Sequence, residues 1–349
     1  MRILIAEDDE ALARFVRQGL EGEHYAVDVF PDGEQARVAA AETDYDVVIL
    51  DLNLPRLDGV NVLRQVRLKK PSLPVLVLTQ RTRVEDRVQC LDLGADDYVP
   101  KQLSSSSLDI LHIREDLIVK IRAAASSRNS HLNRAHRTKP ARSGGLEWES
   151  RSLISPAIVA LGTSTGGPRA LQEILPLLPR DLSVPMLIVQ HMPPGFTGPF
   201  ARRLDGLCAV TVREAVHKEA VLPGVVYIAP AGMHMTVERP SESSTLICLD
   251  TEPNDCLHMP SVDILMKSVA RSFGIAAMGV ILTGMGSDGA QGMKAIHRQG
   301  GFTVGQDEAS CIVYGMPRAC AELGILNRVV PLSQIPAQIL EATCSCKRA

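Results

Sequence analysis

Short apolar runs alternate with amphipathic segments along the first 125 residues of the chain. Continuously apolar runs, typical of parallel strands covered on both faces, occupy residues 2–6, 47–50 and 75–78. Residues 10–21 carry apolar side chains at helical spacing, which predicts a helix. A short strand ending at residues 96–101 and a last helix over residues 117–125 complete the pattern, which predicts a doubly wound α/β domain.

The same rhythm returns after residue 156. Strands are predicted over residues 157–161, 186–190, 225–228 and 278–282, and a helix over residues 169–178. The pattern therefore predicts a second α/β domain with a mostly parallel sheet over residues 151–345. Between the domains, residues 126–150 are rich in Ser, Arg, Asn and Pro and carry few large apolar side chains, so we expect a flexible linker.

The composition restricts the class of protein and leaves the predicted arrangement of two α/β domains unchanged. The chain has 349 residues, a net charge of −3, 45% hydrophobic and 22% charged residues, which is ordinary for a soluble protein and indicates no nucleic-acid partner. The N-terminus does not read as a secretory signal, and we expect a cytoplasmic protein. The eight cysteines form no C-x-x-C pair that would indicate a zinc site.

Charged side chains follow the predicted strands of the first domain. Because the carboxyl ends of parallel strands meet at one sheet edge, we expect convergence of carboxylates, a hydroxyl and an ammonium there, from Glu7, Asp8, Asp9, Asp51, Thr79 and Lys101. Crowded carboxylates favour a hard cation such as Mg²⁺, and a carboxylate beside it can accept a phosphoryl group. The alternative is that Asp51 merely caps a helix or loop.

The strings Ile5-Ala6-Glu7-Asp8-Asp9, Leu50-Asp51-Leu52-Asn53-Leu54-Pro55 and the run from Leu91 to Tyr98 resemble the response-regulator receiver domain, a flavodoxin-like fold, over residues 1–125. The resemblance implies that Asp51 is phosphorylated. It further implies Mg²⁺ on Glu7, Asp8, Asp51 and the carbonyl of Asn53, and switch or phosphoryl-contact roles for Thr79, Tyr98 and Lys101. Gln102 stands where receivers usually carry proline, so we expect no cis bond there and an altered loop.

A glycine-rich turn opens the second domain. Gly162-Thr163-Ser164-Thr165-Gly166 follows a predicted strand and precedes a helix, and it fits the G-x-S-x-G pattern that exposes a nucleophilic serine at a sheet edge. On its own the motif leaves two alternatives open, a phosphate-binding turn and a purely structural turn.

Two more strand ends favour the nucleophile. His191 directly follows one predicted strand, and Asp288 lies in the glycine-rich loop after another. With Ser164 they supply a nucleophile, a base and an orienting carboxylate. The chain order Ser, His, Asp differs from the Ser, Asp/Glu, His order of α/β-hydrolases, which disfavours an ordinary esterase or lipase.

Longer strings resemble one family, the chemotaxis response-regulator protein-glutamate methylesterase, over nearly the whole chain. They are residues 190–197, 281–289, 308–317 and 258–263. The resemblance implies a triad of Ser164, His191 and Asp288, with Thr165 and Met285 lining an oxyanion site formed by nearby backbone N–H groups. Met259 and Asp307 depart from the residues common in the family, arginine and asparagine. For His258, a core or loop role is favoured over the alternative that it approaches the substrate.

The implied activity is hydrolysis of glutamate methyl esters, and deamidation of glutamines, on methyl-accepting chemotaxis receptors. A sensor histidine kinase would phosphorylate Asp51 and relieve occlusion of Ser164 by the receiver. Mg²⁺ would serve the receiver, and no cofactor would serve the esterase. We expect no DNA partner, and contact with the membrane only through receptors. Two alternatives remain: a receiver-controlled serine hydrolase of a non-chemotactic pathway, and a non-catalytic phosphorylation-dependent adaptor.

Overall fold

A computed structural model describes residues 1–71, 73–79, 90, 93–101, 121, 155–241 and 244–343. The chain divides into two compact units, Met1–Arg128 and Asn129–Ala349. The predicted helix over residues 117–125, apart from Ile121, and the predicted linker over residues 126–150 lie outside the described residues. No described helix has both the length and the apolar character that crossing a bilayer requires.

The first unit contains a five-stranded sheet in the order β2-β1-β3-β4-β5, with every neighbouring pair parallel. Its strands are β1 (Arg2–Ala6), β2 (Ala26–Phe30), β3 (Val47–Asp51), β4 (Val75–Thr79) and β5 (Asp97–Pro100). Its described helices are α1 (Glu10–Gly22), α2 (Gly33–Glu42) and α3 (Gly59–Lys69). The predicted α/β class is confirmed.

Burial explains why the strands of this unit are continuously apolar. All five residues of β3 are buried, because helices cover both faces of a doubly wound sheet. Helix α1 begins where the Asp9 side chain accepts hydrogen bonds from the amides of Ala11 and Leu12, which satisfies donors that the first turn leaves unpaired. Its buried stripe of Leu12, Val16 and Leu20 packs into the core under the sheet.

The second unit contains a seven-stranded parallel sheet in the order β14-β13-β12-β6-β7-β9-β8. Its strands are β6 (Ile158–Thr163), β7 (Met186–Gln190), β8 (Thr211–Glu214), β9 (Val225–Ile228), β12 (Ala277–Ile281), β13 (Phe302–Gln306) and β14 (Arg328–Val330). Its helices are α4 (Gly167–Ile174), α5 (Thr197–Asp205), α6 (Val262–Phe273), α7 (Ala290–Arg298), α8 (Met316–Glu322) and α9 (Ile335–Thr343). An antiparallel hairpin of β10 (His234–Ser241) and β11 (Ser244–Asp250) lies outside this sheet.

Strand order determines where a site can form in each unit. The chain proceeds from β6 to β7 on one side, whereas it proceeds from β12 to β13 on the other. This reversal opens a crevice at the carboxyl ends of β6 and β12, the usual ligand position in such sheets. The first unit has the corresponding crevice between β1 and β3. Ser164 and Asp288 follow β6 and β12, and Glu7 and Asp51 lie at the ends of β1 and β3.

Candidate active site and acidic cluster

The acidic cluster of the first unit lies at the crevice between β1 and β3. Glu7, Asp8 and Asp51 each bring a carboxylate oxygen to within 4.8 Å of the others. Glu7 and Asp51 are buried, whereas Asp8 is exposed. The Nζ atom of Lys101 lies 2.7 Å from the Glu7 carboxylate and 2.8 Å from Oδ2 of Asp51. The structure therefore brings together four of the residues predicted for this site.

The charge of this cluster is not balanced by its lysine. Burial, together with the neighbouring charge of Asp51, raises the pKa of Glu7 to about 7 despite its hydrogen bond with Lys101. Burial works against the charged form of Lys101, but its bonds with Asp51 and Glu7 outweigh it and raise the pKa. Oδ1 of Asp51 is buried and has no hydrogen-bond partner among the described residues. A buried carboxylate oxygen without a donor fits a cation site, because such an oxygen is costly when unpaired.

The other predicted receiver residues lie in or next to strands β3, β4 and β5. Asn53 is exposed in the loop after β3, Thr79 ends β4, and Tyr98 lies in β5. Gln102 lies outside the described residues. Sequence reasoning did not identify Gly59, which begins α3. A Cβ at that position would lie 2.0 Å from the backbone oxygen of Asp51, so only glycine lets the helix start this close to the end of β3.

In the second unit, Ser164 lies in the turn between β6 and α4. Its amide donates to the carbonyl oxygen of Thr283 (3.1 Å), and its own carbonyl accepts from the amide of Gly167 (2.8 Å). Gly166 has a φ of +80° and forms the N-cap of α4, a conformation that glycine adopts without strain. The turn leaves Ser164 half-buried directly before a helix N-terminus, as the sequence pattern predicts.

His191 and Asp288 meet beside this turn. Nε2 of His191 lies 2.9 Å from Oδ2 of Asp288, and the His191 amide donates to the carbonyl of Thr163, the residue before Ser164. Nδ1 of His191 is buried and has no hydrogen-bond partner among the described residues. With Nε2–H directed to a carboxylate, Nδ1 carries the lone pair of the neutral ring. The ring therefore presents its basic nitrogen away from Asp288.

Four further donors hold the Asp288 carboxylate. Oδ1 accepts from the Ser261 hydroxyl (2.9 Å) and from the amides of Asp263 and Gly289 (3.0 Å each), and Oδ2 accepts from the Val262 amide (2.8 Å). Burial alone would raise the pKa of Asp288, but the hydrogen bond with His191 and the backbone donors hold it well below its usual range. Asp288 is thus ionised and fixed, as an orienting carboxylate must be.

Gln190 is a residue of the site that sequence reasoning missed. Its side-chain amide donates to the carbonyl of Ser164 (2.9 Å) and to the carbonyl of His191 (3.0 Å). A Cβ on Gly167 would lie 2.0 Å from Oε1 of Gln190, so a glycine makes room for this amide. A polar side chain at the buried end of a strand, directly before the histidine, was the available signal.

Thr283 joins the loops that surround the serine. Its hydroxyl donates to the carbonyl of Thr165 (3.0 Å) and accepts from the amide of Val313 (2.9 Å). Thr165 is buried and Met285 half-buried. The Met285 loop approaches the nucleophile turn closely, because a Cβ on Gly284 would lie 2.9 Å from the Cβ of Ser164. The oxyanion role of Thr165 and Met285 stays a prediction.

The structure also shows the surroundings of His258, Asp307 and Met259, three further residues named from the sequence. The ring of His258 stacks on that of His191, with centroids 4.0 Å apart and planes inclined by 22°. Asp307 caps its own turn by accepting from the amide and hydroxyl of Ser310. Met259 lines a groove of about 250 Å³, together with His191, Met192, Pro193, Leu257, His258 and Pro260. Leu257 is 92% exposed at its rim.

These features define a two-unit α/β protein in which an acidic phosphoacceptor-type cluster precedes a hydrolase-type constellation. Comparison with known families agrees with this class. The model of the response regulator receiver domain matches residues 3–111, and that of the CheB methylesterase matches residues 159–339. The chain belongs to the family of CheB methylesterases with an N-terminal receiver domain.

Relatives of nearly equal length support this membership. The protein-glutamate methylesterase/protein-glutamine glutaminase 2 of Bordetella avium is 42% identical over 345 residues, covering 97% of this chain and 96% of the relative. The protein of the same name from Nitratidesulfovibrio vulgaris is 40% identical over 330 residues, covering 88% of this chain and 89% of the relative. The CheB methylesterase catalytic domain of Thermotoga maritima is 39% identical, with a TM-score of 0.52 over 54% of this chain and 99% of that domain.

Proposed function

We propose that this protein is a phosphorylation-regulated protein-glutamate methylesterase and protein-glutamine glutaminase that acts on methyl-accepting chemotaxis receptors. One observation supports the chemistry: Asp288 holds His191 at Nε2, and Nδ1 has no hydrogen-bond partner among the described residues. The His191 loop is also hydrogen-bonded to the Ser164 turn. The names of the relatives, protein-glutamate methylesterase/protein-glutamine glutaminase, support the proposed substrate class. The proposed reaction takes place in the cytoplasm, where the kinase obtains ATP.

In the proposed mechanism, Nδ1 of His191 removes the proton of the Ser164 hydroxyl as Oγ attacks the ester carbonyl carbon. The imidazolium that forms is stabilised by the Asp288 carboxylate. Collapse of the tetrahedral intermediate breaks the bond to the methoxy oxygen, which takes the proton from His191 and leaves as methanol. Water then attacks the acyl-enzyme by the same route and releases glutamate. A glutamine side chain reacts in the same way and releases ammonia.

Negative charge that develops on the carbonyl oxygen needs donors in the same cleft. Backbone N–H groups near Thr165 and Met285 are proposed for this role. The packing of the Gly284 loop against Ser164 supports the assignment, since it places the Met285 segment beside the nucleophile turn. The groove between Pro193 and Leu257 is proposed to accept the apolar side chains that flank the reacting glutamate.

Asp51 is the proposed phosphoacceptor in the first unit. Glu7, Asp8, Asp51 and the carbonyl of Asn53 would hold Mg²⁺, which fits a buried Oδ1 of Asp51 that has no hydrogen-bond partner within the described part of the chain. When bound, the ion would offset the charge of the transferring phosphoryl oxygens. Lys101, already within bonding distance of Asp51, would contact the phosphoryl group, and Thr79 and Tyr98 would respond to it. A sensor histidine kinase is the proposed donor, and phosphorylation is proposed to relieve repression of the hydrolase unit by the receiver.

The decisive experiment measures methanol release from methylated receptor by wild-type protein, Ser164→Ala and Asp51→Ala, with and without acetyl phosphate as the phosphodonor. We expect no release by Ser164→Ala, and a low rate by Asp51→Ala that the phosphodonor does not change. Release by Ser164→Ala at the wild-type rate would refute the assigned nucleophile. Removal of residues 1–140 tests repression: an unchanged or lower rate would contradict it.

A further inference from the structure

His258 stands apart from the residues used so far. It lies on the segment between β11 and α6, and its ring covers one face of the His191 ring at a centroid distance of 4.0 Å. Three residues later, Ser261 caps α6 and donates to Asp288. One short segment therefore contacts the imidazole from its face and the orienting carboxylate from its side.

Hydrogen bonding among the described residues holds the His191 ring at one edge. The one described hydrogen bond of the ring joins Nε2 to Asp288, and rotation about that bond would turn Nδ1 away from the orientation that it has in the structure. The stacked His258 ring opposes this rotation, because turning the His191 ring would break the face-to-face contact between the two rings. The 22° inclination between the ring planes fits such a contact.

The geometry points to His258 as a positioning residue for His191, one that holds the plane of the catalytic imidazole through ring stacking. This inference rests on the proposed function, since it assigns His191 the role of the base.

Charge considerations agree with a supporting role. Burial, and next the charge of His191, lower the pKa of His258, while Asp288 acts in the opposite direction. Among the described residues, those two are the titratable groups that act on it. His258 is therefore neutral at neutral pH, and its π face is compatible with the imidazolium that His191 becomes during attack. A cation at the same position would oppose that imidazolium.

The test uses the full-length protein and the rate at which a fluorophosphonate probe labels Ser164, followed between about pH 5 and 9. We expect His258→Ala to lower the plateau rate about tenfold, because an unsupported ring spends less time in the reactive orientation. His258→Phe keeps the stacked ring and should stay within about threefold of wild type. His258→Arg places a fixed cation on the imidazole face, so the acid limb of the profile should move to lower pH.

His217→Ala is the matched control, because His217 is an exposed histidine of the same unit that pairs with the Leu249 amide. Equal plateau rates for His258→Ala and wild type, or an acid limb that His258→Arg does not move, would overturn the inference. If His258→Ala fails to fold, His258→Phe against His258→Gln makes the same comparison, with the glutamine variant expected to be the slower. Absence of labelling in the wild type would instead refute the hydrolase assignment itself, so the two failures are distinguishable.

Discussion

Asp288 and Asp263 form a reciprocal pair of helix caps. Asp288 lies just before α7 and caps α6, whereas Asp263 lies in α6 and caps α7. Asp288, directly before the N-cap of α7, accepts from the first two amides of α6, those of Val262 and Asp263. Asp263, in the first turn of α6, accepts from the Gly292 amide in α7 (2.7 Å). The helices approach closely, since a Cβ on Gly292 would lie 2.5 Å from Cβ of Met266. The carboxylate that orients His191 is thus also part of a helix junction.

Replacing Asp288 with Asn should therefore affect both catalysis and stability. We expect hydrolysis to fall about 10³- to 10⁴-fold, because an amide at this position no longer selects the correct tautomer or stabilises the imidazolium. Both carboxylate oxygens accept hydrogen bonds, and an amide NH₂ cannot accept at one of them, so stability should fall by about 1–3 kcal/mol. Methanol release and thermal unfolding measure the two effects. Asp263→Ala is the comparison variant: it loses one cap, so stability should fall while the activity loss stays far smaller than for Asp288→Asn.

The lowered pKa of Asp288 predicts the pH range in which its stabilisation is lost. The unfolded carboxyl has a pKa near the ordinary value of 3.8, and the folded one lies below it. The stabilisation is therefore fully present above 3.8 and is lost as the pH falls toward the lowered folded pKa. The melting-temperature difference between wild type and Asp288→Asn should be constant near neutrality and shrink in acid. A difference that stays constant down to the most acidic condition would contradict this assignment.

Gln190 provides a test of how the proposed nucleophile, Ser164, and the proposed base, His191, are held together. Gln190→Ala removes the donor to both carbonyls, and we expect kcat to fall about 10- to 100-fold with little change in KM, because alignment rather than binding is lost. Gln190→Glu should lower kcat further than Gln190→Ala does, because a carboxylate oxygen would face two carbonyl oxygens. Gln291→Ala, on the exposed side of α7, is the control. A larger effect on KM than on kcat would contradict the positioning role.

Cation removal tests the acidic cluster. Incorporation of phosphate from acetyl phosphate into Asp51 should stop when EDTA removes Mg²⁺. Glu7→Gln should require at least about tenfold more Mg²⁺ for the same rate, because one of the clustered carboxylates is neutralised. Glu10→Gln, an exposed carboxylate at the start of α1, should behave as wild type. Equal Mg²⁺ requirements for Glu7→Gln and Glu10→Gln would exclude Glu7 from the cation site.

The groove beside His191 predicts that one substitution changes the KM for a receptor substrate without changing the reaction with a small probe. Leu257→Ser removes an apolar side chain that is 92% exposed at the groove rim, and loss of its contact with a receptor should raise KM severalfold, by about 1 kcal/mol. Labelling of Ser164 by a fluorophosphonate should not change, because the probe does not extend along the groove. Leu222→Ser, another exposed leucine, serves as the control. An unchanged KM for receptor would remove Leu257 from the binding surface.

The sequence predicted the parallel strands well because their apolar signal is strong. The predicted bounds of β7 and β9 match the structure residue for residue, and those of β12 differ by one residue at each end. The hairpin of β10 and β11 was missed, because the second half of β10 is exposed and polar and so lacks the continuous apolar run. A strand that is covered on only part of its length gives a weaker pattern.

The residues of the candidate site also divide into those that could be predicted from the sequence and those that could not. Ser164, His191 and Asp288 could be predicted because each follows a strand whose end converges on one crevice. Gln190 and Thr283 act through side-chain bonds to backbone carbonyls of distant loops, and no local spacing in the sequence indicates such partners. The stacking of His258 on His191 joins positions 67 residues apart, which only the folded loop between β11 and α6 brings together.

The orientation of the His191 ring has a chemical consequence of its own. Asp288 binds Nε2, and no residue that the structure describes binds Nδ1. A triad with the opposite ring orientation uses Nε2 as its base. An electrophilic affinity label that reached this histidine would therefore alkylate Nδ1. The hydrolysed protein would then contain a π-substituted histidine rather than the τ-substituted isomer.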